Sequence, residues 1–163
     1  MTSRTTTRSA QETMQVGMSL ARELQRGDFI AIHGELGAGK TQLVKGIARG
    51  LGVSESVTSP TFVILNRYSG RDRKSRELFL YHFDFYRIRT LSEIYDVGFE
   101  EFARGESICV VEWPEALGPL LPERRYDILI EFGPASNERR MVIDGPAREP
   151  LAGAPASARA VRK

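Results

Sequence analysis

With 163 residues, 41% of them hydrophobic and 27% charged, the chain has the size and balance of one globular domain, which excludes a wholly disordered polymer and a bundle embedded in lipid. The net charge of +2 hides an asymmetry: Arg4, Arg8, Arg148, Arg159, Arg162 and Lys163 stand near the two ends against Glu149 alone, so residues 11–145 are acidic by about three charges and lack the basic face that gripping nucleic-acid phosphates requires. Cys109 is the single cysteine, which excludes an intrachain disulfide and suits a reducing cytoplasm, and the polar start Met1–Gln11 lacks the apolar segment of a secretory signal.

In chain order, residues 1–10 read as a flexible N-terminal tail. Thr13 is placed to cap a helix through about Gln25, with Met14, Met18, Ala21 and Leu24 on one stripe and Gly27 as its stop. Asp28–His33 reads as a short buried strand running into Gly34. A second helix from Lys40 turns Leu43, Val44, Ile47 and Leu51 inward and breaks at Gly50 and Gly52. Extended runs at Thr61–Tyr68 and Leu78–Phe83, joined by the charged turn Arg71–Arg76, make a hairpin. Leu91–Phe102 has helical spacing, interrupted by Gly98. The continuous apolar run Ile108–Val111, ending at Glu112, is the pattern of a central strand buried on both faces. Tyr126–Phe132 and Arg140–Ile143 add two strands across the polar turn Pro134–Glu138. From Pro146 to Lys163 the composition shifts to Ala, Pro, Gly and Arg, which reads as a disordered tail.

Gly34-Glu35-Leu36-Gly37-Ala38-Gly39-Lys40-Thr41 fits the phosphate-binding loop, Gly, four residues, then Gly-Lys-Ser/Thr. Chance would produce the pattern in roughly one chain of this length in a couple of hundred, and here it also lies between a predicted strand and a predicted helix, where it works. Glycines let successive backbone N–H groups converge on one phosphate, and the helix behind adds the positive end of its dipole. Lys40 would reach the β- and γ-phosphates, and the Thr41 hydroxyl would bind Mg2+. Such a site needs a carboxylate at the end of a nearby apolar strand, and two residues qualify: Asp84 after Leu78–Phe83, and Glu112 after Ile108–Val111. His33 and His82 have no Cys/His spacing that would ligate zinc and read as structural. No residue is assigned as an arginine finger, since ion pairing accounts equally well for Arg87 and Arg140.

The ordered set of the 34–41 loop, Ser59-Pro60-Thr61-Phe62, His82-Phe83-Asp84-Phe85-Tyr86-Arg87 and Glu112-Trp113-Pro114-Glu115 resembles the TsaE family, also called YjeE, over about residues 11–145. Glu35 stands where that family usually has Asp, which preserves the charge. The resemblance implies that Thr41 and Glu112 hold Mg2+, with Asp84 assisting the metal or the attacking water, and that Thr61 senses the γ-phosphate side. Thr13 stands where a hydroxyl residue contacts nucleotide in similar proteins, with the helix cap as the alternative; Trp113 packs the nucleotide site or docks a partner, with a plain core role as the alternative. It further implies Mg-dependent ATP hydrolysis in support of TsaD and TsaB, which place a threonylcarbamoyl group on adenosine 37 of tRNAs reading codons that begin with A; tRNA is then met only through the complex. The fold expected is α/β: a P-loop NTPase domain at 11–145 whose central mixed sheet is flanked by helices and extended by antiparallel strands. A small-molecule kinase with the same loop, or a nucleotide-binding regulator without turnover, are the competing readings.

Overall fold

A strand that is apolar at every position can rest only in the middle of a sheet covered on both sides, and the two such runs of this chain lie side by side there. The computed structural model describes residues 1–60 and 63–148. Its elements are β1 (Thr2–Thr7), α1 (Ala10–Ala21), β2 (Phe29–His33), α2 (Lys40–Gly50), β3 (Leu65–Arg71), β4 (Glu77–Asp84), α3 (Leu91–Asp96), α4 (Phe99–Ala103), β5 (Ile108–Glu112), a 3-10 segment Pro114–Leu120, β6 (Tyr126–Phe132) and β7 (Arg139–Asp144). The seven strands form one sheet in the order β1-β7-β6-β2-β5-β4-β3. β6, β2, β5 and β4 run parallel, while β7, β1 and β3 pair antiparallel at the flanks. The expected α/β fold with a mixed sheet is therefore what the chain forms.

Each face of the sheet has its own core. Ile30 and Ile32 of β2 meet Leu43, Val44 and Ile47 of α2 and Leu20 and Ala21 of α1, whereas Phe29 and Ala31 meet Ile94, Phe99 and Leu117 on the opposite side. Removing any one of the larger of these side chains, the Leu, Ile, Val and Phe, from water contributes about 1.5–3 kcal/mol. Under α2, two helix backbones touch: a Cβ on Gly17 would stand 2.4 Å from the Leu43 carbonyl oxygen, and one on Gly46 2.1 Å from that of Met14. The buried stripe of α1 is accordingly Thr13, Gly17, Leu20 and Ala21, with Met14 and Met18 only half covered.

Several expectations are corrected here. Residues 1–10 are not a loose tail: Thr2–Thr7 is an edge strand in register with Arg139–Asp144, because β-branched threonines suit a pleated edge. Thr13 does not cap α1. Ser9 does, its Oγ accepting from Glu12 N at 3.1 Å while Glu12 Oε2 accepts from Arg8 N at 2.6 Å. The helix also stops at Ala21, before Gln25. Leu91–Phe102 is two short helices broken at Gly98, whose φ is +70°. The hairpin expected between 61 and 83 exists, but its first strand begins at Leu65. Its charged turn is a tied tip: Asp72 Oδ1 accepts from Lys74 N and Arg76 N, and Oδ2 from Arg26 Nε. The C-terminal boundary lies later than 145, since Arg148 bonds Asp28 and the Tyr126 hydroxyl; positions 149–163 of the expected tail lie outside the described residues. Among the described residues, no helix is long and apolar enough to cross a membrane.

Candidate nucleotide site

In an open α/β sheet the carboxyl ends of parallel strands carry the ligand site, and three such ends converge here. β2 runs directly into the 34–41 loop, and the register sets Ile32 of β2 and Asp84 of β4 on either side of Glu112 of β5. Gly39 caps α2 with φ +104°, a left-handed backbone, and offers no side-chain bond. The first N–H groups of α2 are thus left to a ligand, in the arrangement that binds anions. Around them lies a cavity of about 830 Å3 whose walls include Gly37, Lys40, Thr41, Asp84, Glu112 and Trp113.

Lys40 is 5% exposed. Its Nζ donates to the carbonyls of Gly34 at 2.6 Å and Glu35 at 2.9 Å and lies 4.1 Å from the centre of the Trp113 ring. Burial holds the ammonium below its ordinary range, against the opposing pull of Glu112, Asp84 and Glu115. Trp113 reaches over the lysine because its own backbone is left-handed, φ +58°, immediately before Pro114; Tyr86 backs it with ring centres 4.9 Å apart. The Thr41 hydroxyl donates to Glu112 Oε1 at 2.9 Å, and His82 Nε2 lies 2.9 Å from the same oxygen. Asp84 accepts from Tyr86 N at 2.9 Å and from the Ser59 hydroxyl at 3.2 Å.

The residues singled out by sequence fall into three groups. Leu36, Gly37, Gly39, Lys40, Thr41, Asp84, Glu112 and Trp113 line the cavity together. Gly34, Glu35 and Ala38 complete the loop without facing the cavity, and Thr13 is buried behind it: its Oγ1 is 2.9 Å from that of Thr7, and its methyl is 3.9 Å from where a Cβ on Gly39 would be. Thr61 lies outside the described residues.

Two participants were missed. Arg139 donates from Nε to the Ala38 carbonyl at 3.1 Å with its guanidinium 4.5 Å from the Phe132 ring centre, bracing the loop from the β6–β7 hairpin. Position 139 fell just before the expected strand, so no pattern marked it. His82 was read as structural, and the carboxylate it faces is thirty residues away in sequence. His33, by contrast, bridges Glu115 Oε1 at 2.9 Å and Asp127 Oδ1 at 3.2 Å, outside the cavity lining.

The donor set suits Mg2+. A hydroxyl and a carboxylate already 2.9 Å apart, with Asp84 on the next strand, are hard oxygen ligands of the kind this ion takes alongside phosphates and water. Among the described residues no group of three or more His, Cys, Asp or Glu forms a ready cage, which a P-loop metal held partly by substrate does not need.

Residues 7–141 match the family described as threonylcarbamoyl adenosine biosynthesis protein TsaE. The chain is 44% identical over 142 residues to the tRNA threonylcarbamoyladenosine biosynthesis protein TsaE of Treponema pallidum, covering 87% of this chain and 94% of that one. It is 37% identical over 137 residues to the protein of the same name from Rickettsia typhi, covering 83% and 90%. Among solved structures, Bacillus subtilis YdiB superposes with a TM-score of 0.73 at 29% identity, covering 90% of this chain and 87% of YdiB.

Proposed function

The chain belongs to the TsaE family, and on that premise we propose that it binds Mg-ATP between the 34–41 loop and Glu112, hydrolyses it to ADP and phosphate, and thereby supports threonylcarbamoylation of adenosine 37 in tRNAs reading codons that begin with A, working in the cytoplasm with TsaD and TsaB. The observation that carries this reading is the 2.9 Å contact between the Thr41 hydroxyl and Glu112. It joins the residue after the loop lysine to a strand-end carboxylate, two oxygen donors that a Mg-nucleotide uses together.

In this reading the N–H groups of Gly37–Thr41 cradle the phosphates, and Lys40 swings from the Gly34 and Glu35 carbonyls to the β- and γ-oxygens. Thr41 and Glu112 would hold Mg2+ directly or through water; when bound, the ion neutralises charge on the β- and γ-phosphates. Asp84 orients or deprotonates a water opposite the leaving oxygen. That water forms the new bond to the γ-phosphorus as the bond to the ADP oxygen breaks. Thr61 takes the switch role beside the γ-phosphate, and Trp113, freed of Lys40, packs the site. The loop residues Gly34, Glu35, Leu36 and Ala38 shape the cradle, and Thr13 supports it from behind Gly39.

A kinase that closes a lid over its acceptor could draw on the charged turn Arg71–Arg76, but that turn is tied down through Asp72, which favours transfer to water. A cavity open to water, with no lid over it among the described residues, should turn over slowly alone. The test is phosphate release from ATP by the full chain, with and without TsaD and TsaB. The expected result is weak basal release, stimulated severalfold or more when both partners are present. Release indifferent to the partners would remove the partner assignment, and phosphate transferred to an added sugar or nucleoside would make the protein a kinase.

A further inference from the structure

His82 lies two residues before the carboxyl end of β4, with no exposed surface at all. An imidazole there costs free energy unless its polar atoms are used. In β4 the side chains of Leu78, Leu80 and His82 point to the face covered by α2, and on β5 Ile108, Val110 and Glu112 point the same way. His82 pairs with Val110 in the register, so Glu112 is its diagonal neighbour, and Nε2 reaches Glu112 Oε1 at 2.9 Å. The other ring nitrogen, Nδ1, is buried with no partner among the described residues. A proton on Nδ1 would be a buried donor with nothing to receive it, while a proton on Nε2 meets a carboxylate; the hydrogen-bond network therefore assigns it to Nε2.

We propose that His82 is a positioning residue for the metal-side carboxylate: by donating from Nε2 to Glu112 Oε1 it fixes the direction in which Glu112 faces the Thr41 hydroxyl, and so sets how tightly Mg2+ joins a bound nucleotide. The inference rests on the reading of the cavity as a Mg-nucleotide site. Two donors share Glu112 Oε1 in the free protein, Thr41 Oγ1 and His82 Nε2. They are not equivalent. The threonine donation is given up when its oxygen turns to a cation, whereas the imidazole, immobilised in the core, keeps its bond. With Mg2+ present, His82 holds the carboxylate in place. Partners of this kind behind a ligand change metal affinity about 10–100-fold when removed.

The test titrates Mg2+ into the full chain with a fluorescent ADP analogue, reading the Mg2+ concentration at half effect, the ADP affinity in EDTA and the thermal midpoint. His82→Gln keeps a donor near the Nε2 position. His82→Phe fills the space without a donor, and His82→Asn, whose amide ends near the Nδ1 position, provides a second loss variant should the Phe protein fail to fold. Expected are a Mg2+ midpoint raised about tenfold in the Phe and Asn variants, a Gln variant close to wild type, and the same ADP affinity in EDTA for all. A purely structural histidine would instead lower the thermal midpoint and leave the Mg2+ midpoint unmoved, and that result overturns the proposal, as does a Gln variant as impaired as the Phe one. Wild-type protein that binds no ADP at all would overturn the nucleotide-site reading itself, a separate and recognisable failure.

Discussion

At the amino ends of the central strands, Asp28 is 3% exposed and receives Arg148 Nη2 and, at 2.7 Å, the backbone N–H of Gln25, with Arg124 3.7 Å away. At the carboxyl ends of the same strands, Lys40 and Glu112 are similarly buried, at 5% and 3% exposed, but their closest partners are of another kind: two carbonyls and an indole for the lysine, a hydroxyl and an imidazole for the glutamate. Both ends bear the desolvation of buried charge. Opposite charges compensate each other in direct contact at the first end, which makes it a fastening. At the second, the carbonyl and indole contacts of Lys40 and the Thr41 hydroxyl on Glu112 are ones a polyphosphate and a cation can replace, while His82 stays on the carboxylate, which leaves room for a ligand. The electrostatics follow the same division: burial lowers Lys40, whereas Arg148 is raised because its bonds and charge attraction to Asp28 outweigh its own desolvation.

The strongest way to break this contrast is Lys40→Ala. It should weaken ADP binding about 100-fold, roughly 2.8 kcal/mol, while the urea midpoint shifts by less than about 1 kcal/mol equivalent. A Lys40→Ala chain that unfolds would mean the carboxyl end is as structural as the other. Asp28→Asn is the mirror experiment, expected to cost about 2 kcal/mol in urea unfolding by leaving a guanidinium short of its partner, with ADP affinity unchanged. Loss of ADP binding there would join the two ends energetically. The smallest effect sharpens the picture further. A bound phosphate should return Lys40 toward its ordinary 10.5 from the lowered position that burial gives it, so binding takes up protons as pH approaches that range from below. Calorimetry of ADP binding at alkaline pH in two buffers of different ionisation enthalpy measures the uptake; proton release would contradict the sign.

The carboxyl end was the more legible of the two in the sequence, for a physical reason. A loop that must wrap a phosphate dictates consecutive residue types from Gly34 to Thr41, and strands buried on both faces advertise themselves as unbroken apolar runs, so Asp84 and Glu112 could be placed from their positions at strand ends. The fastening at Asp28 joins residues 120 positions apart by side-chain reach alone, and no local pattern records such a contact. The same holds for Arg139 behind Ala38 and for His82 behind Glu112. β1 was lost for a different reason: threonines and an arginine look polar along the chain, and only pairing with β7 makes them a strand. At α1 the helix was anticipated but its start was not, because Thr13 competed with the box of Ser9 and Glu12 that carries the cap.

Gly17 and Gly46 present nothing to any substrate, yet they stand among the positions least free to drift. Any of the other amino acids at 46 would drive a carbon into the Met14 carbonyl and lever α2 away from α1. Lys40 is six residues up the same helix, about 9 Å along its axis, so the wedge would be felt where the lysine has to aim. A saturation library scored for nucleotide binding should therefore show two intolerant columns, at 17 and 46, that a library scored only for surface contacts would never flag: the demand for accurate phosphate capture extends to residues whose whole contribution is the absence of a side chain.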